Sequence, residues 1–409
     1  MRKVNGYPLI KCGNLLTSLK TGPFGSALNT EHWTTNGTAV LTIGSLGEQS
    51  IIEDELLYIS DSYAEKLNPY RVNEGDIVFS RVADIGRAQL IDKKQDGWVI
   101  SSNLMKMTIN KDLIRPEFLY IAIKDSPVVA GQLKSHSNGN GRLLVNSSIV
   151  KNIKIPTPEL AVQDKLIGII SCWDNAIEKT EALIAAKEKQ FEWLMEKLFK
   201  PNDTWTPYRL GELFDNRKET HNTDLPLVSI TREKGVIPHS ETNRKDNSSE
   251  DKSKYLRIRP DDIGYNTMRM WQGVSALSGI DGIVSPAYTI CIPKKIVDPE
   301  FMAFLFKTKP MIHKFYRYSQ GLTSDTWNLK FHHFCEVKAE IPDIKTQIEI
   351  AQILNTAKQE INLLKKTLEQ YRTQKRGLMQ KLLTGEWQVS NAQIGAESEL
   401  QERTKENIA

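Results

Sequence analysis

The sequence predicts an α+β fold in which two mixed α/β globular domains are separated by two long antiparallel coiled-coil helices, related by a pseudo-twofold internal repeat. Three observations predict it. LMEKLF at 194–199 returns as LMQKLL at 378–383, 184 residues later. The apolar residues before each copy keep the heptad spacing of coiled coils. Segments in front of both helices also match at nearly the same offset. The predicted order is therefore domain, helix, domain, helix.

Both long helices are predicted from apolar residues that recur with a 4-3-4-3 spacing. We call the following residues the apolar seam: Leu166, Ile170, Trp173, Ile177, Ile184, Phe191, Leu194 and Leu198 in the first helix, and Ile350, Leu354, Ile361, Leu364, Leu368, Tyr371, Leu378 and Leu382 in the second. Two matching seams in one chain can bury each other if the chain folds back. In a symmetric antiparallel register, Trp173 would face Lys375 and Phe191 would face Ala357.

The repeat sets the predicted boundaries. The first globular domain covers 1–157 and the first helix 158–201; the second domain covers 202–342 and the second helix 343–388. The polar tail at 389–409 is predicted to be disordered.

The two globular domains share a framework but not their loops. RPEFLYIAIKDSP (115–127) matches DPEFMAFLFKTKP (298–310), and each is predicted to be a helix opened by proline. RVNEGDIVF (71–79) matches RIRPDDIGY (257–265), and such runs predict strands. The segments between these matches diverge. A shared framework with unlike loops is typical of a duplicated scaffold that carries two different recognition surfaces.

Composition and charge exclude several classes of protein. The net charge of +4 permits binding to nucleic acid but does not by itself require it. The four cysteines are widely spaced, which argues against a zinc site or a disulfide framework. We see no signal peptide and no segment of membrane-spanning length, so a cytoplasmic location is expected.

The sequence carries little that resembles catalytic machinery. It has no GxxxxGK[ST] loop for nucleotide hydrolysis. Asn68-Pro69-Tyr70 lacks the second proline of an amino-methyltransferase motif and is interpreted as a turn. Glu336-Val337-Lys338 has no suitable upstream aspartate for a nuclease site, and His332-His333 has no third metal ligand at a suitable spacing. Neither catalytic nor metal-binding residues are therefore predicted.

Several longer stretches, together with the repeat, carry a resemblance to a known family. They are TGPFGS, RVNEGDIVFSRVADIGRAQLI, GNGRLLVNSSIVKNIKIPTPELAVQDKL, YNTMRMWQG, GIVSPAYTI, IPDIKTQIEIAQIL and LMQKLLTGEW. In this combination residues 1 to about 388 resemble the specificity subunit of type I restriction-modification systems. One departure is that IPDIKTQ reaches its glutamine two residues sooner than IPTPELAVQ. The two helix starts are therefore expected to differ slightly.

The resemblance implies a non-catalytic subunit that gives a larger complex its DNA specificity. Two target-recognition domains would each read half of a split, asymmetric site on double-stranded DNA. The two helices would form the spacer and dock two methyltransferase subunits, and restriction and motor subunits would complete the assembly. S-adenosylmethionine and ATP would bind the partners, so no cofactor is expected on this chain.

Candidate DNA-binding residues follow from side-chain chemistry. Arginine can contact guanine through two hydrogen bonds and asparagine can contact adenine in the same way. The candidates are Arg81, Arg87, Asn138, Asn140 and Arg142 in the first domain, and Arg244, Lys245, Arg269, Arg317, Tyr318, Gln320 and Thr323 in the second. Arg244 and Lys245 open a basic cluster that continues through Arg257 and Arg259, and Trp271 is expected in the core.

Two alternatives stay open at this point. The chain could be a self-sufficient DNA methyltransferase or nuclease with an unfamiliar site, although the missing motifs argue against turnover. It could also be a coiled-coil adaptor unrelated to DNA, whose heptads join two copies of the chain.

Overall fold

The chain divides into two units, and both long helices contribute residues to each of them. The first unit combines Met1–Lys179 with Leu368–Ala409, and the second holds Thr180–Thr367. This architecture comes from a computed structural model that describes residues 3–47, 50–81, 87–136, 145–232, 234–242, 251–323 and 326–389. The tail predicted to be disordered lies outside the described residues from position 390 onward.

The described part of the first unit contains short strands and helices before its first long helix. The strands are β1 (Lys3–Val4), β2 (Tyr7–Lys11), β3 (Leu16–Thr21), β4 (Trp33–Thr34), β5 (Thr38–Leu41), β6 (Leu57–Ile59), β7 (Ile77–Ser80), β8 (Ala88–Leu90), β9 (Val99–Ile100), β10 (Leu104–Ile109) and β11 (Lys154–Pro156). The helices are α1 (Asp61–Lys66), α2 (Pro116–Asp125), α3 (Pro127–His136), α4 (Ser147–Asn152) and α5 (Leu160–Leu198), the last of which continues into the second unit.

Three sheets build the first unit. The central antiparallel sheet has the order β3-β10-β7-β8, and a second sheet has the order β4-β6-β5-β9 with a parallel pairing of β5 and β9. The third sheet, β1-β2-β11, joins the amino-terminal strands to the strand before the long helix. Phe79 on β7 and Phe118 on α2 are almost fully buried in the main core cluster of this unit. The sequence correctly predicts that α2 opens at a proline, Pro116.

The second unit repeats the central part of this plan. Its strands are β12 (Thr206–Arg209), β13 (Phe214–Arg217), β14 (Val228–Thr231), β15 (Gly235–Pro238), β16 (Leu256–Ile258), β17 (Ile263–Asn266), β18 (Ser275–Leu277), β19 (Gly282–Val284), β20 (Tyr288–Pro293) and β21 (Lys338–Ile341). Its helices are α6 (Leu210–Leu213), α7 (Pro299–Leu305), α8 (Lys309–Tyr318), α9 (Phe331–Glu336) and α10 (Ile344–Leu383), the last of which continues into the first unit.

The central sheet of the second unit corresponds to that of the first. Its order is β13-β20-β17-β18, again antiparallel, with two-stranded sheets β12-β21, β14-β15 and β16-β19 beside it. Tyr265 on β17 and Phe301 on α7 are fully buried, at the places that Phe79 and Phe118 take in the first unit. The repeated sequence segments therefore form repeated elements.

The long helices α5 and α10 pack antiparallel in each unit. In the first unit, the start of α5 lies against the end of α10, because Leu166 and Leu382 share one core cluster. In the second unit, Lys187 pairs with Glu360 at 2.8 Å and Lys365 pairs with Glu188 at 2.6 Å. The predicted antiparallel helix pair is confirmed, and the seam is buried within one chain. The adaptor hypothesis requires the heptads to join two copies of the chain, so burial of the seam within one chain removes the support for it.

The contacts between the helices agree with the predicted register to within a few residues. Trp173 packs edge-on against Tyr371 at a centroid distance of 5.8 Å, and Lys375 pairs with Asp174, the neighbour of Trp173. Phe191 lies 6.3 Å from the ring of Phe304 on α7. A lysine at the edge of a helix pair reaches an exposed carboxylate more readily than it covers an indole, since its charge stays in water.

All sixteen seam residues are buried or half-buried. Leu166 and Leu354 are completely inaccessible, whereas Trp173, Phe191, Leu194, Leu198, Leu364, Tyr371 and Leu378 are half-buried. A pair of helices, unlike a larger bundle, leaves the flanks of its largest side chains in contact with solvent.

A buried glutamine fixes the start of each long helix. The Arg115 N–H donates to Gln163 Oε1 at 2.8 Å, and Gln163 Nε2 donates to Pro158 O at 2.8 Å. In the second unit, the Asp298 N–H donates to Gln347 Oε1 at 2.9 Å. Gln347 Nε2 donates to the carbonyl oxygens of Pro342 and Ile296 at 2.8 and 3.2 Å.

The sequence predicts that the two long helices start slightly differently. From Pro158 and Pro342 onward this prediction is wrong. The long helices begin at Leu160 and Ile344, which are 184 residues apart, as are the two glutamines. The two extra residues of the first copy therefore precede Pro158. The spacing from the proline to the glutamine is fixed in both copies, because the side-chain oxygen and nitrogen of each glutamine both bond to fixed backbone groups.

Candidate nucleic-acid interface

Several loops of the first unit meet at one edge of its central sheet. Because the strands are antiparallel, the ends of β3 and β7 lie beside the starts of β10 and β8. Arg81, the first residue of the first hairpin loop (residues 81–87, between β7 and β8), therefore lies next to residues 101–103, which precede β10. The Arg81 N–H donates to Asn103 O at 3.2 Å and joins the two.

A second loop is attached to the same hairpin. The first interhelix loop connects α3 to α4, and its residue Val145 donates its N–H to Arg81 O at 2.9 Å. Asn138, Asn140 and Arg142 lie in this loop but outside the described residues. The backbone bond shows only that the loop ends beside Arg81.

The second unit repeats this arrangement. The second hairpin loop (residues 267–274, between β17 and β18) starts at Thr267, whose N–H donates to Ala287 O at 3.1 Å. The second interhelix loop connects α8 to α9, and its residue Leu329 donates its N–H to Thr267 O at 2.8 Å. Thr267 thus makes two backbone hydrogen bonds equivalent to those of Arg81, one through its N–H and one through its carbonyl oxygen. In both units, the fold brings together candidate segments that are about sixty residues apart in the chain.

The two arginines of the first hairpin loop have different surroundings. Arg87 donates from Nη1 to Leu46 O at 3.0 Å, so part of its guanidinium holds the 42–47 loop. Gln89 supports the same loop by donating to Gly47 O at 2.7 Å. Arg81 is half-buried, and its buried Nε has no hydrogen-bond partner among the described residues. A buried donor without a partner costs about 1–3 kcal/mol, so an acceptor on a bound molecule would be favourable there.

The second hairpin loop holds Arg269 on an ordered turn. Arg269 is exposed, and its Nη1 lies 3.4 Å from Gln272 Oε1. The Val274 N–H donates to Arg269 O at 3.2 Å, and Trp271 Nε1 donates to Met268 O at 2.9 Å. The loop therefore exposes the guanidinium of Arg269 to solvent, while hydrogen bonds to the carbonyl groups of Met268 and Arg269 hold the backbone.

The second interhelix loop supplies further exposed candidates. Arg317, Gln320 and Thr323 are exposed, whereas Tyr318 is half-buried against the core of its unit. Gln320 is fixed by two backbone bonds with Asn328, at 2.9 and 2.8 Å. Gln320 is thus exposed on a fixed backbone, whereas Tyr318 packs against the core.

An aromatic cluster supports the two loops of the second unit and was missed in the sequence. Trp327 packs edge-on against Trp271 at 5.3 Å and against Tyr316 at 4.9 Å. Trp271 is only half-buried, so its expected place in the core is wrong: it lies at the surface, between the hairpin and interhelix loops. The dense aromatic content of YRYSQGLTSDTW was the available signal.

Two arginines of the predicted basic cluster form ion pairs within the domain. Arg257 pairs with Asp281 at 2.6 Å, and Arg259 pairs with Glu219 at 3.1 Å. The Arg257 guanidinium, by donating to Asp281, holds the pKa of that carboxyl below its usual value. These two arginines are engaged inside the domain, and Arg244 and Lys245 lie outside the described residues. Phosphate binding by the cluster therefore stays a prediction.

Other kinds of site are not found in the part of the chain that the structure describes. No group of three or more His, Cys, Asp or Glu side chains could hold a metal ion there. Over the same residues, no helix is long and apolar enough to cross a membrane.

Comparison with known proteins decides the family. The model of the family described as "Type I restriction modification DNA specificity domain" matches twice, over residues 15–187 and 202–371. The chain belongs to this family. The two matches follow the internal repeat, and each takes in one globular domain and part of a long helix. The chain is accordingly a non-catalytic specificity subunit, as predicted, and the alternative of a self-sufficient enzyme is set aside.

Sequence similarity extends along most of the chain for one relative and along about a third of it for another. The type I restriction enzyme MjaVIII specificity subunit of Methanocaldococcus jannaschii is 24% identical over 377 residues, covering 82% of this chain and 85% of the relative. The type I restriction enzyme HindI specificity subunit of Haemophilus influenzae is 24% identical over 131 residues, covering 32% of this chain and 28% of the relative.

Solved structures share the fold. The HsdS subunit from Thermoanaerobacter tengcongensis matches with a TM-score of 0.53 and 14% identity, covering 95% of this chain and 99% of that one. The type I restriction-modification system S subunit from M. genitalium matches with a TM-score of 0.55 and 15% identity, covering 94% and 98%.

Proposed function

We propose that each globular domain of this specificity subunit reads one half of a split, asymmetric site on double-stranded DNA. The reading surface in each domain is the hairpin loop together with the interhelix loop bonded to it. The observation that carries the proposal is the repeated pair of backbone bonds at Arg81 and Thr267. The same framework holds unlike side chains in the two units, as two unlike half-sites would need.

The chemistry of the exposed side chains supports DNA as the ligand. Arg269 and Arg317 offer positive charge for phosphates or for the guanine edge, and Gln320 offers an amide that suits adenine. Arg81 offers a buried N–H donor without a partner among the described residues. Aromatic support beneath the loops keeps such side chains in place while DNA binds.

The long helices are proposed to form the spacer and to dock two methyltransferase subunits. Their outer faces carry exposed apolar side chains in the second unit, among them Leu183, Trp193 and Leu363, which are 44%, 58% and 63% exposed. Exposed large apolar residues on a helix that has already buried its seam are typical of protein interfaces. Restriction and motor subunits would join the same complex.

Cofactors belong to the partners in this proposal. S-adenosylmethionine would bind the methyltransferase subunits, ATP would bind the motor subunits, and neither would bind this chain. The complex would act on DNA in the cytoplasm.

Methylome sequencing of cells that express this subunit with its methyltransferase partners tests the proposal. A bipartite methylated motif is the expected result. Arg269→Ala should broaden one half of the motif and leave the other half unchanged, with discrimination reduced about tenfold, since a two-bond base contact contributes about 1–3 kcal/mol.

Lys338→Ala is the matched control, because it removes one exposed positive charge from β21 rather than from a hairpin loop. It should leave both halves unchanged. An undivided motif in cells with the wild-type subunit, or a motif that does not depend on this chain, would contradict the proposed function.

A further inference from the structure

A single lysine ties the second hairpin loop to the helix beneath it. Lys307 follows α7, and its Nζ donates to Gly273 O at 2.7 Å and to Ser275 O at 2.5 Å. Both carbonyl groups belong to the end of the turn that carries Arg269. No described carboxylate forms an ion pair with Lys307. The ammonium group is therefore committed to the backbone of the hairpin.

The turn that Lys307 holds has a restricted geometry. Gly273 has φ +78°, in the left-handed region, and a Cβ at this position would lie 2.8 Å from Ile312 Cδ1. Its N–H donates to Met270 O at 2.8 Å, and the Ser275 N–H donates to Gly273 O at 3.0 Å. Movement of the Gly273 carbonyl would be transmitted to Arg269 through this short chain of bonds.

The position is an unfavourable one for a positive charge. Burial, together with the positive charges of Arg232 and Lys358, lowers the pKa of Lys307 to about 8. Lys358 lies on α10 and contacts the ring of Phe304 on α7, at 5.9 Å from its centroid. A cation in such surroundings is stabilised by the two carbonyl groups, since hydrogen bonds from a charged donor are stronger than neutral ones.

The first unit has the same lysine but uses it differently. Lys124, in RPEFLYIAIKDSP, corresponds to Lys307 in DPEFMAFLFKTKP. It is exposed and lies over Tyr120, one turn earlier on the same helix, with Nζ 3.3 Å from the hydroxyl. The repeat thus kept the residue, and in the second unit its ammonium group donates to the backbone of the hairpin.

We propose that Lys307 is a positioning residue for DNA reading by the second domain, which holds the Gly273–Ser275 end of the hairpin loop so that Arg269 keeps its reading geometry. The proposal rests on the proposed function. Lys307 itself does not touch DNA; it acts through the turn.

Methylome sequencing of the full chain with its methyltransferase partners provides the test. Lys307→Met should broaden one half of the motif, with discrimination in that half reduced about tenfold, and leave the other half intact. Arg269→Ala identifies which half belongs to the second domain. Lys124→Met is the matched control and should leave the half that the second domain reads unchanged. Lys307→Gln, which keeps a neutral donor, should lie between wild type and Lys307→Met.

A pH profile separates positioning from general support of the fold. In purified complexes, the preference for the correct second half-site should fall between pH 7 and pH 9, because Lys307 loses its charge as the pH rises through about 8. The same preference should be independent of pH in the Lys307→Met complex.

Two outcomes would overturn the inference: a Lys307→Met subunit that reads both halves as the wild type does, or one that weakens both halves equally. If the wild-type complex methylates no bipartite motif, the proposed function fails. If the wild-type complex methylates a bipartite motif but Lys307→Met behaves like Lys124→Met, only the inference about Lys307 fails. A thermal melt of each variant shows whether the chain is folded.

Discussion

Removing one facing heptad from each long helix is expected to shorten the unread spacer of the DNA motif by about three base pairs while leaving both half-sites unchanged. The deletions cover residues 180–186 and 362–368. In the sequence they lie between the Asp174–Lys375 and Lys187–Glu360 ion pairs. Seven residues correspond to about 10 Å of helix, and a base pair rises about 3.4 Å. Because seven is the seam period, the apolar seam stays in phase.

Methylome sequencing measures this result directly. A control of unchanged length carries Ala185→Ser and Lys366→Ala at two exposed positions of the same heptads, and should keep the original spacer. Deleting the heptad from α5 alone should abolish methylation, because the seam residues of the two helices would then fall out of register. A shortened subunit that still methylates the original spacing would contradict the role of the helices as spacer.

Gln347→Leu is expected to lower the free energy of unfolding of the second unit by about 3–5 kcal/mol. The substitution keeps the volume but leaves the Asp298 N–H and the carbonyl groups of Pro342 and Ile296 without their partner, and each unpaired buried group costs about 1–3 kcal/mol. For a unit of this size the melting temperature should fall by about 10 °C. Thermal unfolding followed by circular dichroism measures the change.

Gln359→Leu is the matched control, because this glutamine lies on the same helix with its side chain exposed. It should change the stability by less than about 0.5 kcal/mol. Gln163→Leu should weaken the first unit to a similar extent, and the effects of the two buried substitutions should add, since they lie in separate cores. A Gln347→Leu subunit as stable as the control would show that the three bonds do not fix the start of α10.

The heptad pattern was enough to predict the helix pair, because burial of a seam depends on spacing within one segment. Every predicted seam residue is at least half-buried. The predicted register agrees with the contacts to within a few residues: Lys375, expected opposite Trp173, pairs with the adjacent Asp174. Which neighbouring side chains make contact depends on the conformations that lysines and aromatic rings adopt at the edge of the helix pair. Heptad spacing does not determine those conformations.

The surroundings of the candidate DNA-binding residues could not be predicted from side-chain type. Side-chain type selected Arg269 and Gln320, which are exposed on adjoining loops. It also selected Arg87, whose guanidinium holds a neighbouring loop, and Tyr318, which packs against the core. An arginine suits a guanine and a backbone carbonyl equally well, so its role depends on which group the fold places beside it.

The sequence by itself determined the duplicated plan, the two long helices and the separation of framework from loops, because these follow from local periodicity and from segments copied within the chain. Only the tertiary structure decided that Val145 and Leu329 fasten the interhelix loops to the hairpins, and that Lys307 donates to the backbone of the second hairpin. Those contacts join residues that are far apart along the chain. Their formation depends on distances of a few ångströms that the packed sheets and helices set.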